Sequence, residues 1–371
     1  MNNAHILSIG SVASFSRGLT YSGSDEVDYS SNVVLRSNNI DLATNTLNFD
    51  ELKYISDAIN IPEDKKLQRN SIFMCMSNGS KQHLGKVAFI DRDYPYAFGG
   101  FMGLIKPKED IIIPKLLYYY FCSSKFKGFL SSIGNGANIN NIKFVDIAKD
   151  YISVPEKTTQ QSIIEELDKI NELIRLKKEQ LKDYDNLAQS IFYEMFGDPV
   201  VNEKGWEVKK FADLYKLKSG DSLSAKNFVE GEIPVYGGNG ISGYHNDFNM
   251  DGDFIIIGRV GVYCGNVREV HGKFWLTDNA FQLFYNREIQ YPCFIHYLLE
   301  ILDLHQYANA AAQPVISNLT LKDVEIIIPP LPLQQAFAQR IELIEQQKAE
   351  IQSTIADLET LLASRMQYWF D

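Results

Sequence analysis

The sequence predicts an α+β protein in which two mixed globular domains alternate with two long helices. Three observations carry this expectation. A heptad seam runs from Thr158 to Phe196, the same seam returns 174 residues later, and matching strand and helix signals precede each seam.

Residues 1–155 show short, mixed segments. The apolar runs 72–76 and 86–90 predict strands. Pro114 opens an apolar run through Phe121 that predicts a helix with proline in its first turn. Polar loops at 77–82 and 134–138 lie between these segments.

The first long helix follows. Its apolar positions Ile163, Leu167, Ile170, Ile174, Leu181, Tyr184, Ala188, Ile191 and Met195 step by three and four, with one gap where Lys177 occupies the seam. Thr158 and Gln161 have capping-box spacing, and Gly197-Asp198-Pro199 is a stop signal. At about 1.5 Å per residue such a helix spans roughly 55 Å.

Residues 205–330 repeat the first plan with different letters. The run 253–261 parallels 70–79, the Pro292 run parallels the Pro114 run, and 310–314 takes the place of the loop at 134–138. Residues 236–244 form a glycine-rich segment flanked by tyrosines, read as a loop. The second helix then carries Phe337, Ile341, Ile344, Ile351, Ile355, Leu358 and Leu362 in the phase of the first seam. Gln160-Gln161 recurs as Gln334-Gln335, and 141–146 resembles 318–323, each leading through an apolar run to proline. A seam repeated with its approach is a duplication. The expected boundaries are 1–155, 156–197, 198–330 and 331–371. The seam lysines, Lys177 and Lys348, leave parallel and antiparallel pairing both open.

The net charge of -11 argues at face value against nucleic acid, but its distribution matters more. Residues 1–155 net +1, each long helix nets -3, and 205–330 nets -5, so the acidity sits mostly in the helices and the second domain. Cys75, Cys122, Cys264 and Cys293 lack close spacing and suggest buried thiols of a cytoplasmic protein rather than a metal site. The start Met1-Asn2-Asn3-Ala4-His5 shows no secretory signal, and no apolar run is long enough to span a bilayer.

Catalytic patterns do not assemble. Pro329-Pro330 lies between Ile328 and Leu331, not in the Asn/Asp-Pro-Pro-aromatic loop of an amino methyltransferase. The glycines near Gly99 and Gly237 lack a dinucleotide-loop context, and a phosphate-cradling Gly-Lys-Ser/Thr loop does not occur. Asp41, Glu51 and Lys53 make only a chance-level nuclease triple, and the histidines lack metal-ligand spacing. The expectation is a chain with no catalytic group, cofactor or metal of its own. Its candidate DNA contacts are the loop residues Arg17, Asn78, Lys81, Tyr236, Asn239, Tyr244 and Arg259, whose side chains suit base edges and phosphates. The bland reading of each is a tight turn or a solvated loop cation. For the seam it is an ordinary oligomerisation coil.

The domain-helix-domain-helix layout resembles the DNA-specificity subunit of type I restriction-modification systems over essentially the whole chain. The most specific likenesses are the Pro-Leu-x-x-Gln-Gln entry Pro330-Leu331-Pro332-Leu333-Gln334-Gln335 of the second helix, 361–366 near the end, and 193–199 at the midpoint; the first copy departs, reading Val154-Pro155-Glu156-Lys157-Thr158-Thr159 before its glutamines. The resemblance implies two target-recognition domains, each reading half of a bipartite asymmetric sequence, separated by two long helices that pair as an antiparallel coiled coil and set the gap. It also implies double-stranded DNA, two adenine-methyltransferase subunits and ATP-dependent restriction subunits as partners. The alternative is a coiled-coil scaffold joining two protein-binding modules.

Overall fold

The computed structural model describes residues 4–80, 83–133, 141–309 and 313–371. The segment 134–138, most of 310–314 and Lys81 lie outside these residues. The chain forms two compact units, Met1–Lys177 with Thr354–Asp371, and Lys178–Ser353.

The first unit runs through β1 (His5–Ser8), α1 (Ile9–Val12), β2 (Ala13–Arg17), β3 (Glu26–Val27), β4 (Asn32–Leu35), β5 (Lys53–Ile55), β6 (Ser71–Cys75), β7 (Val87–Ile90), β8 (Ala97–Phe98) and β9 (Met102–Pro107). Then come α2 (Pro114–Cys122), α3 (Ser124–Ile133), α4 (Phe144–Ile147), β10 (Tyr151–Val154) and the long α5 (Lys157–Phe196). Strand β6 is buried along its whole length, which explains its unbroken apolar run. It sits inside a four-stranded sheet of order β2-β9-β6-β7, and a second sheet has the order β3-β5-β4-β8. Helix α2 covers the first sheet, burying Leu116, Leu117, Tyr120 and Phe121 in one core with Ile72, Met74 and Ile105.

The second unit contains β11 (Glu207–Lys210), α6 (Phe211–Leu214), β12 (Lys216–Ser219), β13 (Ile233–Gly237), β14 (Gly240–His245), β15 (Met250–Gly258), β16 (Val267–Leu276) and β17 (Ala280–Phe284). It ends in α7 (Pro292–Ile301), α8 (Asn318–Leu321), β18 (Glu325–Ile328) and α9 (Leu331–Phe370). Its sheet has the order β12-β17-β15-β16-β13-β14. The first four strands repeat β2-β9-β6-β7 one for one. The parallel pairing of β4 with β8 recurs as that of β13 with the end of β16. In both units the first strand returns to pair antiparallel with the strand leading into a long helix, β1 with β10 and β11 with β18.

The structure corrects three expectations. Residues 236–244 are not a loop: β13 and β14 form a hairpin with only Gly238 and Asn239 in its turn. Helix α5 begins at Lys157, so Thr158 lies inside its first turn, and Gln161 reaches forward to Glu165 at 3.1 Å rather than back to a cap. The approach motifs align differently as well. Each short helix ends just before its strand, α4 before β10 and α8 before β18, so Phe144 corresponds to Asn318, and the buried pair is Ile147 and Leu321. The long-helix stop is as expected: Gly197 adopts φ 76° and donates its N–H to Tyr193 O at 2.9 Å.

Both long helices contribute to both units. In the second unit they run antiparallel, since Lys348 pairs with Asp185 at 2.8 Å while Arg340 faces Glu194 at 3.7 Å. Phe337 there meets Phe192 and Phe196 edge-on, and Phe294 of α7 stacks on Phe192 with centroids 5.8 Å apart. In the first unit Arg365 grips the Glu166 carboxylate through both Nε and Nη2, and Trp369 Nε1 donates to the same group at 3.0 Å. The guanidinium holds the Glu166 carboxyl below the usual carboxylate range. Along the seam Ile163, Leu167, Ile170, Ile174, Phe337, Ile341, Ile344, Ile351 and Ile355 are buried, while Leu181, Tyr184, Leu358 and Leu362 are half-buried. Ile163 and Leu167 belong to the core of the first unit, and Ile341 and Ile344 to that of the second. The seam therefore serves the domains as well as the helix pair.

Candidate nucleic-acid interface

In each unit the loops at one end of the sheet are stitched together by the same backbone hydrogen bonds. In the first, Leu19 N donates to Phe98 O at 2.7 Å, Gly99 N to Leu35 O at 2.9 Å, Met76 N to Phe101 O at 2.9 Å and Ile142 N to Met76 O at 2.7 Å. In the second, Asp221 N donates to Leu276 O at 2.9 Å, Thr277 N to Tyr236 O at 2.9 Å, Arg259 N to Asn279 O at 2.9 Å and Ile316 N to Arg259 O at 3.0 Å. The loop following the first strand crosses so closely that only glycine fits. A Cβ on Gly18 would lie 2.1 Å from Gly99 O, and one on Gly220 would lie 2.1 Å from Leu276 O. One scaffold is thus dressed with two sets of side chains.

Four of the candidates fall in these clusters. Arg17 is exposed, and its Nε donates to Gly100 O at 2.9 Å, leaving the rest of the guanidinium edge at the surface. Asn78 donates to Ser37 Oγ at 3.0 Å and accepts from Ser80 N at 2.8 Å, which orders its loop. Arg259 is half-buried, donates to Ser219 Oγ at 3.3 Å and Asp278 O at 3.2 Å, and stacks over Phe281. These contacts give it a structural task beside any reading task. Tyr236 is half-buried edge-on against Phe274, so its ring packs while its carbonyl ties two loops. Asn239 is exposed in the hairpin turn beside this cluster, for Gly238 lies against Val260 O and Asn279 O. Tyr244 is exposed too, but it stands opposite Pro234 along the hairpin, away from the turn.

Sequence reasoning passed over Arg36, which shares the loop of Ser37; its Nε is buried and, among the described residues, has no hydrogen-bond partner. It also passed over Phe101, 70% exposed next to the Arg17 contact, and Val262 and Tyr263, exposed just beyond Arg259. A lone arginine after an apolar strand carries no signal in the sequence. Exposure of an aromatic residue depends on partners far along the chain.

The helix side of the second unit differs in chemistry. Helices α5, α7 and α9 border an open cleft of about 1200 Å³, lined by Asp185, Glu269, Glu300, Glu342 and Glu345. Lys348 in the same lining pairs with Asp185 and Glu345, each at 2.8 Å. His296 stands in this wall, its ring 3.4 Å from Glu269 and 3.5 Å from Glu300. Burial opposes its charge, but the hydrogen bonds to Glu269 and Glu300 outweigh burial and lift the imidazole to about 9. This exceeds the unfolded value of about 6.5, so the stabilisation is complete below that pH and fades as pH rises through the folded value. Melting curves of the protein and a His296→Gln variant should therefore lie several degrees apart at pH 6 or so and converge near pH 10 or so. A separation that does not change with pH would show that the ring carries no charge.

Among the described residues no group of three His, Cys, Asp or Glu side chains is arranged to hold a metal, and no helix is long and apolar enough to cross a membrane. All four cysteines are free.

A family model for the type I restriction modification DNA specificity domain matches residues 2–183 and again 203–359. The chain is 28% identical over 232 residues to the EcoprrI specificity subunit of Escherichia coli, covering 59% of this chain and 57% of that protein. It is 30% identical over 163 residues to the StySPI specificity subunit of Salmonella potsdam, covering 43% and 34%. With the MjaIX specificity subunit of Methanocaldococcus jannaschii the identity is 26% over 276 residues, covering 64% and 63%. The chain thus spans between a third and two thirds of the length of these relatives. Among solved structures it is similar to a type I restriction-modification S subunit from M. genitalium, with TM-score 0.56, 16% identity and coverage of 100% and 96%. A chain from work on assembly and conformational transition of the type I system aligns with TM-score 0.59, 16% identity and coverage of 99% and 97%. At that identity the structural likeness speaks for the fold.

Proposed function

The chain belongs to the type I restriction-modification DNA specificity family, whose model covers both of its halves, and from that premise we propose that it reads a bipartite, asymmetric DNA sequence. Residues 1–155 are the first target-recognition domain and 198–330 the second. Helices 156–197 and 331–371 set the number of unread base pairs between the half-sites and carry two adenine-methyltransferase subunits. Restriction subunits join the same complex, and methylation and cleavage are carried by these partners in the cytoplasm.

The observation that carries this reading is the pair of loop clusters built on one strand order with unlike letters. Where the first has Arg17 and Met76, the second has Ser219 and Arg259, as their shared backbone bonds show. Equal scaffolds with unequal donors and acceptors suit unequal half-sites, because base identity is read by side-chain chemistry on a fixed frame. The acidic cleft on the helix side suits a protein partner, and such partners can supply the phosphate clamp that this chain's charge does not.

Mapping N6-methyladenine in a strain with and without this chain tests the proposal. One bipartite motif with a fixed gap should be methylated only when the chain is present. A methylome unchanged by its removal removes the proposal.

A further inference from the structure

Each Gln pair ahead of a long-helix seam divides into one exposed and one buried residue. Gln161 and Gln335 face solvent, whereas Gln160 is 1% and Gln334 0% exposed. Each buried amide is held by three backbone groups. Gln160 Oε1 accepts from Ile113 N at 2.7 Å, and its Nε2 donates to Pro155 O at 2.8 Å and Ile111 O at 3.3 Å. Gln334 Oε1 accepts from Tyr291 N at 2.8 Å, and its Nε2 donates to Pro329 O at 2.7 Å and Ile289 O at 3.0 Å. Ile113 and Tyr291 are the N-cap residues of α2 and α7, the helices that lie against each domain's sheet. In both units, then, one amide joins the first turn of the long helix, the proline before it and the cap of the domain's own helix.

We propose that Gln160 and Gln334 are positioning residues, each fixing the angle at which its DNA-reading domain leaves the helix and so holding that reader to one spacing. The inference rests on the function proposed above. An apolar side chain of similar size would fill the same space, but it could not select one orientation. Three directional bonds to two separate segments remove the freedom of the helix to roll against the domain. The net strength of each bond is modest. Their value here is direction, since a spacer counts base pairs only if neither end swivels. The sequence around the two sites has diverged, yet all three partners recur.

The test uses the full chain assembled with its methyltransferase partner, acting on duplexes that carry both half-sites with the native gap or with one base pair more or fewer. Gln160→Leu and Gln334→Leu should each lower the preference for the native gap about tenfold, a factor that one or two such bonds can supply. The base requirements within each half-site should stay as they were. Gln161→Ala and Gln335→Ala should leave the preference intact. If a leucine variant does not fold, Gln160→Asn and Gln334→Asn, whose amides fall one methylene short, should show the same relaxation. Variants that melt at lower temperature but keep the native preference make these glutamines merely structural and overturn the inference alone. A wild-type complex indifferent to the gap overturns the functional reading itself, and this inference with it.

Discussion

Exchanging residues 205–330 for the corresponding domain of another specificity subunit is expected to change one half of the methylated sequence and leave the other as it was. The structure makes this a clean operation. Strands β11 and β18 pair antiparallel with Glu207 opposite Ile328, so the segment enters and leaves side by side. A segment with adjacent ends can be exchanged without stretching the chain that receives it. The six-stranded sheet and its covering helix α7 travel together, and every loop of the second cluster travels with them. The contacts to be preserved across the joint include the backbone groups of Ile289, Tyr291 and Pro329 that hold Gln334, and a large ring where Phe294 stacks against Phe192. Losing that ring would cost about 3–5 kcal/mol, as for other buried Phe→Ala changes, and would confuse a folding defect with altered reading. The methylome of a strain carrying the chimera gives the answer. A change in both half-sites would show that the two domains do not read independently.

How much of this was legible in the sequence depended on how far apart the interacting residues lie. The seams were legible because their cause is local: apolar residues three and four apart share a helix face whatever else the chain does. The matching of β6 with β15 was legible for a similar reason, since both are short apolar runs ending in a glycine or polar loop. The approach motifs misled because likeness of letters placed Asn141 on Asn318. The true correspondence is set by Ile147 and Leu321, which are buried at equal distances before their strands. Insertions of different length between elements shift the offset along the domain, so no single offset aligns it.

The glycines of 236–244 also argued for a loop, because glycine weakens strands. Gly243 sits in a strand because the ring of Phe228 lies 2.4 Å from where its Cβ would be, a contact no local pattern announces. Of the candidate site residues, Arg17 and Asn78 fall together in one cluster, and Tyr236 and Arg259 in the other. The sequence could not show that Arg259 and Tyr236 are also tied into the scaffold, because Ser219 and Phe274 reach them from other strands and Asp278 from a turn. In the same way it displayed two glutamines at each helix start without showing which one the domain takes hold of.

Inserting one heptad into each long helix is expected to abolish methylation at the native site and move it to sites with a longer gap. Seven residues complete two turns of the seam, so apolar positions on either side of the insertion keep the same face. The place to insert is between the two units, after Lys177 in α5 and after Ser353 in α9, which leaves every contact within each unit untouched. Each insertion lengthens its helix by about 10 Å, at about 1.5 Å per residue. Along a duplex that length corresponds to roughly three base pairs. Three base pairs also turn the duplex by roughly a quarter to a third of its helical repeat, so twisting of the DNA or the helices should weaken methylation even where the new gap is right. Two controls separate length from damage. A heptad in one helix alone leaves seven residues opposite nothing and should prevent assembly. A two-residue insertion in both helices rotates the seam by roughly 200° onto the opposite face, and it should destabilise the pair by exposing apolar side chains that each contribute about 1.5–3 kcal/mol when buried. Methylation that persists at the native gap after paired heptad insertion would mean that the helices do not measure the site.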